Sequence, residues 1–564
     1  MLYNLLINFR FLLDDLVLSV EKCEKQRFFL LCFLFVIPYF FLGFNWAWID
    51  DQIIDFSING NLAYQFKNID LIGSGFHFYL RHLLIYLYKV FPSIGWLGIL
   101  SFFLQLISSA VILEYSVQKK NILFAVLVYV VLVKNIYYFT FTNLSISSTI
   151  AGTIFLIQGD NNKVKFINVL FGFVFIIVGL QTRYLGGLYI FFFILTYLIA
   201  SSYNRKKIIV FISVFLIGIF QHNVCLENSK NAERENISKI DYYLGLNYNL
   251  NLETKPMENL NDTLIQESMD FWFVADYIFH TPANFKSRFK EIDFVILDVH
   301  RFNKQIKRFL TMASEHSRYN LQYYYMDDLI FIVLLIVIAI LISIKVKKYN
   351  LIFFNIVFVL GLISGIYFVY MPYRLFSQLI SFYVIFNFIL LLRINFKGAL
   401  IDNLVKIVLI VLLVDIAFFK FNFDKTKIYQ KRLIEQVSSI SSENPIFLDI
   451  HALSMLHENP FLTIDFKNTF ITDSYLFPLE LNYKSIHFPT NSYFENFSRN
   501  FQKTGHIYYI SSPYTINQRA RYWKKRYLGQ GSIVIENISK FQDYSFRERG
   551  PENVNIYKLT LTKE

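Results

Sequence analysis

The stretch FFLLCFLFVIPYFFLGFNWAWIDD, Phe28–Asp51, decides how this chain is read. Its first part, 28–44, is an unbroken apolar run of the length that crosses about 30 Å of hydrocarbon. It ends in two adjacent carboxylates, Asp50 and Asp51. A carboxylate beside the hydrocarbon is costly, and it persists where a proton, a metal or a substrate needs it. The pair is therefore a candidate for catalysis. The plainer alternative is a solvated loop start or a helix N-cap.

Working outward, apolar windows of similar length recur through the first three quarters of the chain. At 55% hydrophobic and 17% charged residues, with mean hydropathy +0.41, the 564 residues hold more apolar material than one soluble core needs. Spans are expected near 28–44, 95–114, 122–139, 144–158, 166–182, 185–202, 208–224, 328–344, 351–370, 375–392 and 404–421, about eleven helices in all. The expected fold is a polytopic α-helical membrane domain over 1–421, including outer segments 45–94 and 225–327. A soluble α/β or α+β domain is expected to follow over 422–564.

Charge sets the orientation. Lys22, Lys25 and Arg27, then Lys119 and Lys120, Lys163 and Lys165, Arg205 to Lys207, Lys345 to Lys348, and Arg393 with Lys397 fall in alternate loops. The positive-inside rule makes those loops cytoplasmic. The N-terminus is then cytoplasmic, while the acidic pair, the loop 225–327 and the tail lie on the outer face. The net charge of +12 follows largely from this topology. Its cations are dispersed over membrane loops, which argues against nucleic acid as a partner.

The first 20 residues interleave Arg10, Asp14 and Asp15 with Leu and Phe. They lack the charged head and apolar core of a cleavable signal, and fit an interfacial helix. The three cysteines, Cys23, Cys32 and Cys225, make no disulfide framework. Abundant Ile, Lys, Asn, Phe and Tyr suit an AT-rich bacterial genome, hence a plasma-membrane location. No Gly-rich phosphate loop, Cys/His metal spacing or internal repeat is present in the sequence.

Three outer pieces carry the remaining signals. Phe76 to Val90 is amphipathic, with His77, Arg81 and His82 set among Phe78, Leu83, Leu84 and Leu87, and Pro92 stops it. It is expected to lie in the membrane interface, where its basic residues meet lipid phosphates or a substrate. The loop 225–327 has helical periodicity in its second half and ends at Asp327 and Asp328, a second acidic pair before a span. Flanking charge is the plainer account of that pair; substrate binding is the alternative. The tail shows strand-like segments at 445–450, 506–511, 532–536 and 555–561, with a helical or turn-rich stretch at 512–528.

Arg183, in Gln181-Thr182-Arg183-Tyr184, and Arg374, in Tyr370-Met371-Pro372-Tyr373-Arg374, stand on the outer face where cations are otherwise rare. A guanidinium holds a phosphate by paired hydrogen bonds. It also snorkels to headgroups. Lys134, inside the third span, stays unassigned.

The Asp50-Asp51 pair, Gly60, the stretch His77 to Tyr88, Pro92 and Trp96, set in this organisation of spans, outer loops and outer tail, resemble the GT-C superfamily of lipid-phosphosugar-dependent glycosyltransferases, bacterial polysaccharide-cluster members in particular. The resemblance covers the organisation of the whole chain, and its sequence content lies in the first hundred residues. It implies an inverting transferase that moves a sugar from a polyprenyl-phosphate donor to a glycan, a lipid-linked saccharide or a protein. It further implies that Asp50 or Asp51 acts as base or holds a divalent cation such as Mg or Mn, and that Arg183 and Arg374 hold the donor phosphate. Two other classes share many of these features. An O-antigen-type polymerase or ligase relies on arginines in long central loops, and a polysaccharide transporter or flippase places polar residues and broken helices near the bilayer midplane.

Overall fold

The computed structural model describes residues 24–46, 64–66, 78–117, 122–158, 165–200, 205–228, 352–360, 399–449, 461–462, 468–472, 481–483, 493–511, 532–543 and 552–562, with isolated residues at 340, 344, 452, 456, 513 and 516. In chain order the elements are α1 (Glu24–Val36), α2 (Tyr39–Leu42), β1 (Asn45–Trp46), β2 (Tyr64–Phe66), α3 (Phe78–Val90), α4 (Trp96–Val117), α5 (Ile122–Tyr137), β3 (Tyr138–Phe139), α6 (Phe141–Gln158), α7 (Lys165–Thr182), α8 (Tyr184–Ala200) and α9 (Arg205–Asn228). They continue with α10 (Ala399–Ser441), β4 (Ile446–Asp449), β5 (Thr469–Thr472), β6 (Leu481–Tyr483), α11 (Tyr493–Thr504), β7 (His506–Ser511), β8 (Ser532–Asp543) and β9 (Glu552–Thr562).

Two compact units result. One comprises Met1–Ala47, Gly98–Cys225 and Tyr324–Lys420; the other comprises Trp48–Leu97, Leu226–Tyr323 and Phe421–Glu564. The segment 48–97 thus groups with the tail, whereas the sequence suggests a single division near 421.

The described part of the first unit is mostly helical, with the two-residue strands β1 and β3 and short breaks at Ile37-Pro38, Gly43-Phe44, Thr140 and Arg183. Among the described residues α4 alone is long and apolar enough to cross a membrane. Shorter apolar helices are Phe28–Leu42, Ala125–Tyr137, Phe141–Ile157, Phe166–Thr182, Gly186–Ile199, Ile208–Gln221 and Val405–Val414. Helix therefore occupies the expected spans from 95–114 through 208–224, and nearly all of 28–44. The expected spans 328–344 and 375–392 lie essentially outside the described residues, as does most of 351–370.

The expected first span is broken at Pro38, which has no N–H to give the Leu34 carbonyl. Tyr129 on α5 replaces it, its hydroxyl donating to Leu34 O at 2.8 Å. At the next residue, the Tyr137 hydroxyl donates to Phe35 O. The kink is thus held by side chains from a neighbouring helix, and Phe44 closes over it against Phe102 and Phe139 at 5.3 and 5.4 Å.

α6 and α7 pack backbone to backbone through small residues. A Cβ on Gly152 would stand 2.7 Å from the Gly172 carbonyl oxygen, and one on Gly179 would stand 2.6 Å from that of Ser145. Glycine is required at both places, as in close helix pairs within lipid. Large apolar side chains point the other way: Phe29, Phe40, Phe166 and Phe220 are each at least 70% exposed.

The second unit contains a five-stranded sheet in the order β5-β4-β7-β9-β8. β4 runs parallel to β5 and to β7, while β9 is antiparallel to both β7 and β8. Ile446, Phe447 and Leu448 on β4 are all fully buried, as expected of a central strand covered on both faces. α11 leads into β7 through Gly505, whose φ of 71° and N–H to the Phe501 carbonyl at 2.9 Å make a left-handed helix cap that glycine accepts without strain.

The tail strands expected at 445–450, 506–511, 532–536 and 555–561 are all present, the last two in longer form. β5, β6 and α11 are additional to those expected. α10 does not stop at the expected span end of 421 but runs on to Ser441. Its buried positions Val405, Leu409, Leu412, Ile416, Phe423, Thr426, Gln430, Leu433 and Val437 recur at intervals of three, four or seven residues, so one face stays buried while the opposite face turns from apolar to charged.

The amphipathic stretch expected at 76–90 is helix α3, ending just before Pro92. It belongs to the same unit as the tail. β2 pairs antiparallel with β6, Gln65 opposite Asn482. Farther along, Ile94 bridges Leu462, and the Gly95 N–H donates to the Phe461 carbonyl at 2.8 Å. The Tyr88 hydroxyl accepts the Leu97 N–H at 3.0 Å, tying α3 to the start of α4.

Candidate functional site

The expected site residues divide sharply. Asp50, Asp51, His77, Asp327, Asp328 and Arg374 lie outside the described residues. Arg81 and His82 are described as backbone within α3 only. Arg183 is the one expected site residue whose surroundings can be followed atom by atom.

Arg183 occupies the single non-helical position between α7 and α8. Its N–H donates to the Gly179 carbonyl at 3.3 Å, and its own carbonyl accepts the Gly187 N–H at 3.1 Å, so the chain turns without losing its backbone bonds. The Ser145 hydroxyl lies within donating distance of two carbonyl oxygens, Gly179 at 2.7 Å and Arg183 at 2.9 Å. Gly186 lets α8 come close here, since a Cβ would meet Ser145 Oγ at 3.2 Å. The backbone beneath the guanidinium is therefore fixed, and the side chain is half-exposed.

Ser145 sits in the first half of α6, and the start of that helix carries a second anchor. β1 pairs parallel with β3, Asn45 opposite Tyr138 and Trp46 opposite Phe139. Thr140 then caps α6, its hydroxyl accepting the Asn143 N–H at 3.0 Å. Trp46 is thus bound to the strand just before α6, and the Arg183 turn to Ser145 within α6. Asp50 follows Trp46 by four residues in sequence.

No protein-family model, curated protein or solved structure matches the chain. The site is therefore built from its own residues.

Sequence reading missed the interior of the first unit. Gln105 on α4, Asn135 at the end of α5, and Asn143, Ser147 and Ser148 on α6 are all buried. They form a chain: Asn143 Nδ2 donates to the Asn135 carbonyl at 3.3 Å, Ser147 Oγ lies 2.8 Å from the Asn143 carbonyl, and Gln105 Oε1 lies 2.7 Å from Ser147 Oγ. Ser108 and Ser148 pair at 3.2 Å one turn farther on. The signal available in the sequence was the run Thr142-Asn143-Leu144-Ser145-Ile146-Ser147-Ser148-Thr149, unusually polar for an apolar segment. Local bonds from Ser147, Thr149 and Thr153 to carbonyls four residues back explain how such a run stays helical.

Among the described residues no group of three or more His, Cys, Asp or Glu side chains is placed to hold a metal ion.

Proposed function

We propose that this protein is a multi-span glycosyltransferase of the bacterial plasma membrane, using a polyprenyl-phosphate sugar and acting on the outer face. Membrane embedding is supported by an inverted distribution of side chains. Phe29, Phe40, Phe166, Phe192 and Phe220 face outward, while Gln105, Asn135, Thr142, Asn143 and Ser147 are buried. So many large apolar side chains left exposed call for a covering, and lipid supplies it for helices that hold their own polar groups inside. The wider reading of about eleven spans, with the N-terminus cytoplasmic and the tail outside, follows the charge asymmetry of the loops.

The catalytic part rests on the residue types: an acidic pair directly after the first apolar run, and arginines in segments expected on the same face. The backbone of the Arg183 turn is held by Ser145, which fixes the base of that guanidinium. A base and a phosphate-binding cation are what the transfer needs. Asp50 or Asp51 takes the proton of the acceptor hydroxyl, whose oxygen forms the new bond at the anomeric carbon with inversion. The bond to the lipid phosphate breaks, and Arg183 and Arg374 hold the phosphate that departs. The neighbouring carboxylate orients the base or binds a divalent cation. His77, Arg81, His82, Asp327 and Asp328 are candidates for substrate contacts. The acceptor is a glycan, a lipid-linked saccharide or a protein, with the tail domain aligning it.

The test is transfer from labelled polyprenyl-phosphate sugars by purified Asp50→Asn and Asp51→Asn variants. At least one should lose transfer by roughly 100-fold or more, the usual scale for removing a general base. Full transfer by both would remove the catalytic assignment.

A further inference from the structure

Gln105 and Thr142 are fully buried, and Asn135 is 2% exposed. Among the described residues, Ser101 Oγ, Gln105 Nε2, Ser109 Oγ, Asn135 Nδ2 and Thr142 Oγ1 are buried atoms without a hydrogen-bond partner. Ser101, Gln105 and Ser109 are spaced four residues apart and therefore share one face of α4. That face is turned toward α6, since Gln105 meets Ser147 and Ser108 meets Ser148. Asn143 Nδ2 ties the end of α5 to α6 through the Asn135 backbone carbonyl.

Reassigning atoms does not remove the deficit. The Ser147 hydroxyl has one proton, and the Asn143 carbonyl takes it at 2.8 Å. Turning the Gln105 amide over lets Nε2 donate to Ser147 and leaves Oε1 unmet instead. Either way one end of the amide lacks a partner. Folded proteins leave few such groups dry, because each forfeits the bonds it made with water.

We propose that the seam between α4 and α6 binds hydroxyl groups, either as ordered water or as the hydroxyls of a carbohydrate. The named lining consists of uncharged amides and hydroxyls, which offer donors and acceptors together. An ion would find no countercharge among these groups, and an apolar guest would leave them unmet. A hydroxyl both donates and accepts, and so answers every atom in the row. Buried water commonly takes this role, with two to four polar partners. The inference does not depend on the transferase reading, and its test measures stability and binding without measuring transfer.

The test uses the full chain in lipid nanodiscs, comparing thermal midpoints of Ser101→Ala and Ser109→Ala with the unsubstituted protein. Ser108→Ala, which breaks a visible bond, serves as the control that the assay registers a lost hydrogen bond. A seam filled by hydroxyls loses a partner in each variant, and the midpoint falls by roughly 2–4 °C. Methyl glycosides of common hexoses are then added. A rise in midpoint that Gln105→Leu abolishes identifies carbohydrate; a fall in the variants without any glycoside response identifies water. Unchanged or raised midpoints for both Ser101→Ala and Ser109→Ala, with Ser108→Ala lowered, overturn the proposal, since removing an unmet hydroxyl from a dry seam relieves it.

Discussion

The Tyr129 hydroxyl donates to the carbonyl oxygen of Leu34, the acceptor that Pro38 leaves without a helical partner. A defect in one helix is thus met from another, and the two become one folding problem. The polar end of a tyrosine, far along the chain, is what lets a proline stand inside an apolar segment.

Tyr129→Phe should therefore destabilise the protein although it removes only an oxygen. Leu34 O is left buried without its donor from α5, a loss of about 1–3 kcal/mol. Pro38→Ala in the same background restores a backbone N–H to that carbonyl and should recover part of the loss. Thermal midpoints of the two single variants and the double variant measure this coupling; simple additivity would argue against it.

Ser145 supports the carbonyl of Arg183 and not its guanidinium. Ser145→Ala should accordingly cost about 1 kcal/mol of stability and reduce donor-lipid affinity only modestly. Arg183→Ala should leave stability nearly unchanged and weaken binding of a polyprenyl phosphate on the order of 10-fold or more, the scale of a lost charge-assisted bond. Binding to lipid vesicles carrying the polyprenyl phosphate separates the two. Equal affinity in Arg183→Ala would return this residue to a headgroup anchor.

Tyr557 lies in the middle of β9, paired with Tyr509 of β7 and Asn537 of β8. Burial pushes its phenol up, and the bond from Asn555 Nδ2 at 2.8 Å offsets this in part. The sign follows directly. Folding favours the neutral phenol, so its contribution is full below the ordinary tyrosine value of about 10 and is lost as pH rises through the elevated one. Alkaline unfolding of the full chain should therefore shift in Tyr557→Phe, which has no proton to lose, toward a flatter dependence above that range. Identical alkaline profiles for the two proteins would contradict the shift.

Much of the local structure was legible. Apolar length marked the helices from α4 to α9, because a helix surrounded by apolar partners needs no amphipathic pattern to announce itself. Short runs rich in β-branched, aromatic and other apolar residues marked β4, β7, β8 and β9. β5 and β6 were not legible, being only four and three residues long, too short for periodicity to rise above chance. The extension of α10 past 421 was missed because a fall in hydropathy was read as the end of a helix, when only its exposed face had changed. Of the candidate site, Arg183 was singled out because cations are rare in the loops expected on its face. The seam of Gln105, Asn135 and Asn143 was not, since uncharged polar residues in an apolar segment read as ordinary small-residue packing until their partners are known.

By itself the sequence determined the apolar helical segments and the presence of strands in the tail, because length and local composition are local properties. Only the tertiary structure decided what those segments hold on to. Tyr129 meets Leu34, Ser145 fixes the turn at Arg183, Gln65 pairs with Asn482, and Ile94 bridges Leu462, each across a long stretch of intervening chain. A hydrogen bond depends on where two groups end up in space, and spacing along the chain does not encode that.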